Sequence, residues 1–172
     1  DRAVASGFGA LCLTVDTHHY SRRERDISKR YHAASARLPD SAFYQKGLDW
    51  AQFDKLRKKY KVPLVIKGIA TGEDAKLAVE HGVDVIYVSN HGGRQLDHGA
   101  GTMDVLPEIV SVAKGKAEIV VDGAFGRGTD VLKAIALGAD LVCIGRLYAY
   151  GMAAAGRDGI IRRAWRRVLR IA

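Results

Sequence analysis

Five short apolar runs divide the chain: Ala10–Val15, Val62–Ile66, Val83–Val88, Glu118–Val121 and Leu141–Ile144. Stretches with helical spacing fall between them. Asp49–Tyr60 carries Trp50, Phe53 and Leu56 at three-residue intervals and ends in a basic turn, Lys55-Leu56-Arg57-Lys58-Lys59. Thr71-Gly72-Glu73-Asp74 has the pattern of a capping box, and Gly82 supplies a stop. Thr102–Lys114 and Thr129–Leu137 follow the same logic, the second stopped by Gly138. Strand then helix, repeated, predicts right-handed crossovers and a parallel sheet. Most of the runs are apolar on successive residues without clean alternation, so strands buried on both faces are expected.

Between Asp16 and Gly47 the series is interrupted by a long polar stretch that contains Ser21–Tyr31 and Ala33–Arg37. A segment of that length in a compact domain is usually functional or mobile. Five strands do not close an eight-stranded (β/α) barrel, which takes about 250 residues, and the chain has 172. The first and last strands would each keep an open edge. Two architectures remain: an open doubly wound sheet, or the later part of a barrel.

Composition narrows the class. Hydrophobic residues make up 48% and charged residues 27%, the balance of a single soluble globular domain. The chain opens on Asp1, so a trimmed or processed start is expected. No apolar run approaches the roughly 20 residues of a membrane-spanning helix. The net charge is +8, of which residues 157–172, with six Arg and one Asp, carry +5. An excess confined to one terminal segment argues against a nucleic-acid surface. The tail reads as a helix with Ile161, Trp165, Val168 or Leu169 and Ala172 on one face. A barrel-covering role is favoured there over a basic membrane surface. Cys12 and Cys143 lie in apolar runs and read as buried free thiols, which suits a cytoplasmic setting.

In parallel α/β folds the ligand site lies at the C-terminal ends of the strands. The residues there are Thr14-Val15-Asp16 with Arg22-Arg23, then Lys67-Gly68, then Ser89-Asn90-His91-Gly92-Gly93-Arg94. Asp122-Gly123-Ala124-Phe125-Gly126-Arg127-Gly128 and Gly145-Arg146 complete the series. The last two clusters suit a phosphate. Gly123, Gly126 and Gly128 let backbone N–H groups approach an anion, the following helix adds its dipole, and Arg146 brings a bidentate guanidinium. Lys67 ends an apolar strand with no acid beside it in sequence, a costly place for an ammonium unless it meets an anionic or electron-rich ligand. His91 is the natural general base, since histidine titrates nearest neutral pH. Asp16 could hold its other nitrogen, and Arg94 suits a carboxylate. The pair His18-His19 reads as solvated, and no spacing of Cys, His and acids supports a metal site.

These strings together resemble the FMN-dependent 2-hydroxy acid oxidase/dehydrogenase family, which includes glycolate oxidase, lactate oxidase and dehydrogenase, and mandelate dehydrogenase. The resemblance rests on Thr14-Val15-Asp16 with Arg22-Arg23-Glu24-Arg25-Asp26, Val65-Ile66-Lys67-Gly68-Ile69 and Ser89 through Asp97. It continues through Asp122-Gly123 with Arg127-Gly128-Thr129-Asp130, and Ala136-Leu137-Gly138-Ala139 with Gly145-Arg146. It runs in unbroken order from residue 1 to about 160, and the Ser-Asn-His-Gly-Gly-Arg-Gln-Leu-Asp string is its most specific part.

The resemblance implies an α/β fold comprising the C-terminal five βα units of a (β/α)8 TIM barrel, with residues 157–172 as a basic terminal helix. It implies FMN as cofactor and oxidation of a small 2-hydroxy acid to the 2-oxo acid. His91 would be the base, paired with Asp16, while Arg94 and Arg23 clamp the substrate carboxylate. Lys67 would face the flavin edge where negative charge develops on reduction. Thr14, Ser89 and Asp122 would contact the flavin or its ribityl chain, and Gly123, Arg127, Gly145 and Arg146 would hold the phosphate. A homo-oligomer is expected; which hydroxy acid and which electron acceptor are left open. Two competing expectations are a non-catalytic flavin- or phosphate-binding half-barrel and another phosphate-binding (β/α)8 enzyme, such as a type 2 isopentenyl-diphosphate isomerase.

The sequence departs from the family pattern in three places. Ala124 stands where the phosphate loop usually has a second Gly, and Gly126 where the first Arg belongs. The three earlier strands of the barrel, with their active-site tyrosines, are absent. The tail Ile160–Ala172 carries no acidic residue.

Overall fold

The computed structural model describes residues 1–17, 23–31 and 47–163. Its strands are β1 (Leu11–Thr14), β2 (Leu64–Ile69), β3 (Val85–Val88), β4 (Glu118–Val121) and β5 (Leu141–Val142). Its helices are α1 (Arg2–Ala5), α2 (Glu24–Ser28), α3 (Trp50–Lys59), α4 (Gly72–Glu80), α5 (Thr102–Ala113), α6 (Gly128–Ala136) and α7 (Arg146–Arg163), the last broken at Ala155–Gly156. The strands form one parallel sheet in the order β1-β2-β3-β4-β5, as the βα series predicts. Residues 164–172 of the expected terminal helix lie outside the described residues, as do His18-His19, Arg22 and 33–37.

Local sequence accounts for the helix starts. The Asp49 carboxylate accepts from Gln52 N at 2.8 Å and the Thr71 hydroxyl from Asp74 N at 3.1 Å, so both helices begin where a polar side chain can satisfy an orphan amide. The strand entries share a device the runs alone do not reveal. In Gly82-Val83-Asp84 and again in Gly138-Ala139-Asp140, the aspartate stands one residue before its strand. Asp84 accepts from the Leu64 amide at 2.7 Å and pairs with Arg57; Asp140 accepts from the Ile119 amide at 2.9 Å and pairs with Lys114. Each carboxylate thus ties its own strand to the neighbouring one at the end opposite the site.

Burial corrects the expectation of strands covered on both faces. Leu64, Ile66, Ile69, Ile86, Val88, Ile119 and Val121 are buried, packed with Phe53, Ala75, Ala78, Leu106 and Ile109 of the helical layer. The alternate residues Val65, Lys67, Val85 and Tyr87 are only half-buried, and Leu141 is exposed. A second layer is needed to close that face, and the described residues do not supply one. The cysteines follow from this: Cys12 is exposed and Cys143 half-buried, because both belong to the open face rather than to the core. Lys67 is also not the strand end. The strand runs on to Ile69, with a register irregularity between Lys67 and Ile69 where Gly68 takes φ +112°.

Candidate active site

The C-terminal ends of β1 to β4 bring two side-chain networks together. The first joins β1 to β3. His91 Nδ1 lies 2.5 Å from Asp16 Oδ2, with the histidine side chain 31% exposed and the aspartate 15%. Three successive left-handed residues, His91 (φ +52°), Gly92 (φ +64°) and Gly93 (φ +70°), fold the turn back after Asn90. Glycine carries two of these positions without strain. The turn is pinned by Gly93 N donating to Asn90 O at 2.9 Å, and by the Asn90 side chain donating to Ala100 O at 3.1 Å.

The second network joins β2, β3 and β4. Lys67 Nζ lies 2.6 Å from Ser89 Oγ and 3.1 Å from Asp122 Oδ2, and Ser89 Oγ donates to Asp122 Oδ1 at 2.7 Å. Ser89 is fully buried and also accepts the His91 backbone N–H at 3.2 Å. A hydroxyl has one donor and two acceptor sites, and all three are used. Ser89 is therefore the hub that locks the His91 turn to the Lys67–Asp122 ion pair, a role its sequence position does not disclose. The lysine that found no acid nearby in sequence finds one two strands away.

Two adjoining cavities open over these networks. One, of about 420 Å³, is lined by Lys67, His91, Asp122, Gly123, Gly145 and Arg146 among others. The second, of about 510 Å³, brings Arg23 at the start of α2 together with Arg94, Arg146 and Tyr150. Arg94, Arg146 and Tyr150 border both. Arg146 also donates from Nη2 to Gly92 O at 2.9 Å, which couples the start of α7 to the His91 turn.

The expected phosphate cluster is assembled in part. Gly123 (φ +122°) and Ala124 (φ +58°) bend the chain after β4, and Gly123 packs against buried Thr102, where a Cβ would collide. The amides of Gly126 and Arg127 are turned instead to the Asp130 carboxylate, at 3.1 and 2.9 Å. An anion in this cavity therefore meets the Gly123–Ala124 turn, Gly145 and the Arg146 guanidinium rather than the Gly126 and Arg127 amides just before α6. Arg127 caps α6 and is exposed, outside the lining of both cavities. Thr14 ends β1 opposite Lys67 in register. No cluster of three metal-ligating side chains occurs among the described residues, and none of their helices is long and apolar enough to cross a membrane.

One residue of this assembly escapes a reading of strand ends. Tyr87 faces the open side of β3 in register with Lys67, whose Nζ lies 4.6 Å from the centre of its ring. Burial, then the neighbouring Cys143 thiol and the negative charge of Asp122, push the phenol above the usual tyrosine range. Being inside an apolar run, Tyr87 has the pattern of a core aromatic, and only the neighbouring strands reveal its polar partners.

The cavity fits a ligand with an anionic end and a polar face. Arg146 and the glycine turns serve the first; Lys67, hydrogen-bonded and held at 17% exposure, serves the second. The second carboxylate oxygen of Asp16 is buried without a partner among the described residues.

Comparison with known proteins identifies the family. The sequence model of the FMN-dependent dehydrogenases matches residues 1–168. The chain is 42% identical to an L-lactate oxidase of Lysinibacillus sphaericus over 94% of its own length and 48% of the oxidase. It is 43% identical to a peroxisomal (S)-2-hydroxyacid oxidase of Arabidopsis thaliana, covering 92% of this chain and 49% of that protein. A crystal structure of mandelate oxidase superposes with a TM-score of 0.85 at 39% identity, over 97% of this chain and 50% of the oxidase. Another mandelate oxidase structure, which carries an FMN adduct, gives 0.84. The chain spans about half the length of the relatives it matches, so its five βα units are part of a (β/α)8 barrel. By sequence and by fold, the chain belongs to the FMN-dependent dehydrogenase family.

Proposed function

We propose that the chain carries the base and the carboxylate clamp for FMN-dependent oxidation of a small 2-hydroxy acid to the 2-oxo acid. The observation that carries the proposal is the 2.5 Å contact between His91 Nδ1 and Asp16, beside cavities lined by Arg94 and Arg23. With Nδ1–H donated to Asp16, the other ring nitrogen, Nε2, is the basic one, and the carboxylate stabilises the imidazolium that forms. His91 takes a proton from the substrate's hydroxyl or α-carbon, while Arg94 and Arg23 hold the carboxylate that orients it. FMN, when bound, supplies the two-electron acceptor. Its phosphate would be held by Arg146 with Gly123 and Gly145. Lys67 would offer its ammonium to the flavin ring where charge develops, with Asp122 fixed beside it and Thr14 at the end of β1.

The relatives named as lactate, 2-hydroxyacid and mandelate oxidases support this substrate class. The sheet face that the described residues leave uncovered favours weak FMN binding and slow turnover by these 172 residues alone. The test is anaerobic bleaching of FMN absorbance in the presence of lactate, glycolate or mandelate, comparing the chain with its His91→Asn variant. Asparagine tolerates the left-handed backbone at this position, so the turn is kept while the base is lost. A fall in bleaching rate of about a hundredfold or more is expected. Equal rates in the two proteins would show that His91 is not the base. A spectrum of bound FMN that no hydroxy acid bleaches would favour the non-catalytic half-barrel.

A further inference from the structure

We infer that Tyr87 is a positioning residue for Lys67, seating the ammonium against its ring so that the cation stays at the Ser89–Asp122 corner of the 420 Å³ cavity. The flavin part of the inference rests on the reading of the site proposed above. Lys67 is a long side chain on the open face of the sheet, in register with Tyr87 on the adjacent strand. Its hydrogen bond to Ser89 and its ion pair with Asp122 hold two of the three ammonium donors. Those partners also draw it toward β4. The ring, 4.6 Å from Nζ, attracts the cation through its negative face without competing for those donors.

The ring has polar neighbours of its own. The Tyr87 hydroxyl lies beside Cys143, on the far side of β4, and beside the same Asp122 that pairs with Lys67. Four groups from four neighbouring chain segments therefore meet here: Lys67 on β2, Tyr87 on β3, Asp122 at the end of β4, and Cys143 just past β5. Ser89 closes the set by donating to Asp122. A purely space-filling aromatic at this point needs no cation on its face. An ammonium whose work is electrostatic needs a fixed position more than a high affinity for any one neighbour.

Two variants separate ring from hydroxyl. Tyr87→Phe keeps the ring, and Tyr87→Met fills the space without one. In the FMN-free chain, the ε-methylene protons of Lys67, assigned by their loss in Lys67→Arg, should resonate upfield of ordinary lysine through the ring current. Tyr87→Phe should retain that shift, and Tyr87→Met should abolish it. FMN titrated into each protein should bind about threefold to tenfold more weakly to Tyr87→Met and within about twofold of the original to Tyr87→Phe. Circular dichroism identifies a variant that has not folded. If Tyr87→Met is such a variant, Tyr87→Phe decides alone: loss of the upfield shift or a tenfold loss of affinity with the ring still present overturns the inference. An unshifted Lys67 signal in the original chain, or equal FMN affinity in folded Tyr87→Met, overturns it as well. Failure of the original chain to bind FMN counts against the flavin reading, and the Lys67 resonance then decides the Tyr87 contact by itself.

Discussion

A Cβ placed on Gly68 would lie 2.7 Å from the carboxyl carbon of Asp16, so the bulge in β2 exists in the space that the Asp16 side chain fills. The carboxylate that orients His91 is held where it is because the neighbouring strand has no side chain at that point. Gly68 also takes φ +112°, a conformation closed to other residues without strain.

Gly68→Ala should therefore lower stability by about 2 kcal/mol or more, from backbone strain and collision together. Urea unfolding measures it. Adding Asp16→Gly, which removes the colliding atoms, should cost less than the two single changes summed, because the sites share the same space. Strict additivity would mean that the two residues do not contend for it.

Arg94→Met tests the carboxylate clamp. A charged hydrogen bond to a carboxylate contributes about 1.5–3 kcal/mol, so KM for a 2-hydroxy acid should rise by tenfold or more in the FMN-loaded protein. Steady-state kinetics distinguishes this from His91→Asn, whose effect should fall on kcat.

Ala124 is a non-glycine residue at φ +58° in the turn beside the proposed phosphate site. The left-handed conformation costs an L-residue about 1 kcal/mol, partly offset by the entropy glycine loses on folding. Ala124→Gly should raise the unfolding midpoint slightly, by about 0.5 kcal/mol of stability. A decrease would mean that the Ala124 methyl packs in a way its exposed position does not suggest.

Asp140 carries a pH-dependent share of stability. Its hydrogen bond from Lys114, with a further one from the Ile119 amide, holds its carboxyl below the usual carboxylate range against a small opposing effect of burial. A depressed folded-state pKa contributes stability that is fully present above the unfolded value, about 3.9, and is lost as pH falls through the folded one. With the side chain 41% exposed, solvent screening keeps the effect to about 0.5–1 kcal/mol. Asp140→Asn should thus be less stable than the original at pH 7, and the two unfolding curves should converge below about pH 4.

The βα order, the helix caps and the strand-end clusters were legible because each depends on neighbours within a few residues. Thr71 can cap only the turn that follows it, and Gly92-Gly93 permit the backbone that brings His91 round. Burial was legible only in part. An apolar run such as Val83–Val88 looks the same whether both faces are covered or one, so the half-buried state of Tyr87 and the exposure of Cys12 followed from the layer that packs on the sheet. The continuation of β2 past Lys67 was hidden for a related reason, since a bulge at Gly68 answers to Asp16 from another strand.

By itself, the sequence determined the parallel βα framework and the residues delivered to one end of it, since local periodicity and turn chemistry specify both. Only the tertiary structure decided which of those residues meet. His91 finds Asp16 across 75 positions of sequence, and Lys67 finds Asp122 across three strands through buried Ser89. The Asp130 carboxylate, not a phosphate, takes two of the amides that the glycine pattern had offered to phosphate. Such pairings depend on sheet register and on the distance between strand ends, quantities that come into being only when the strands are laid side by side.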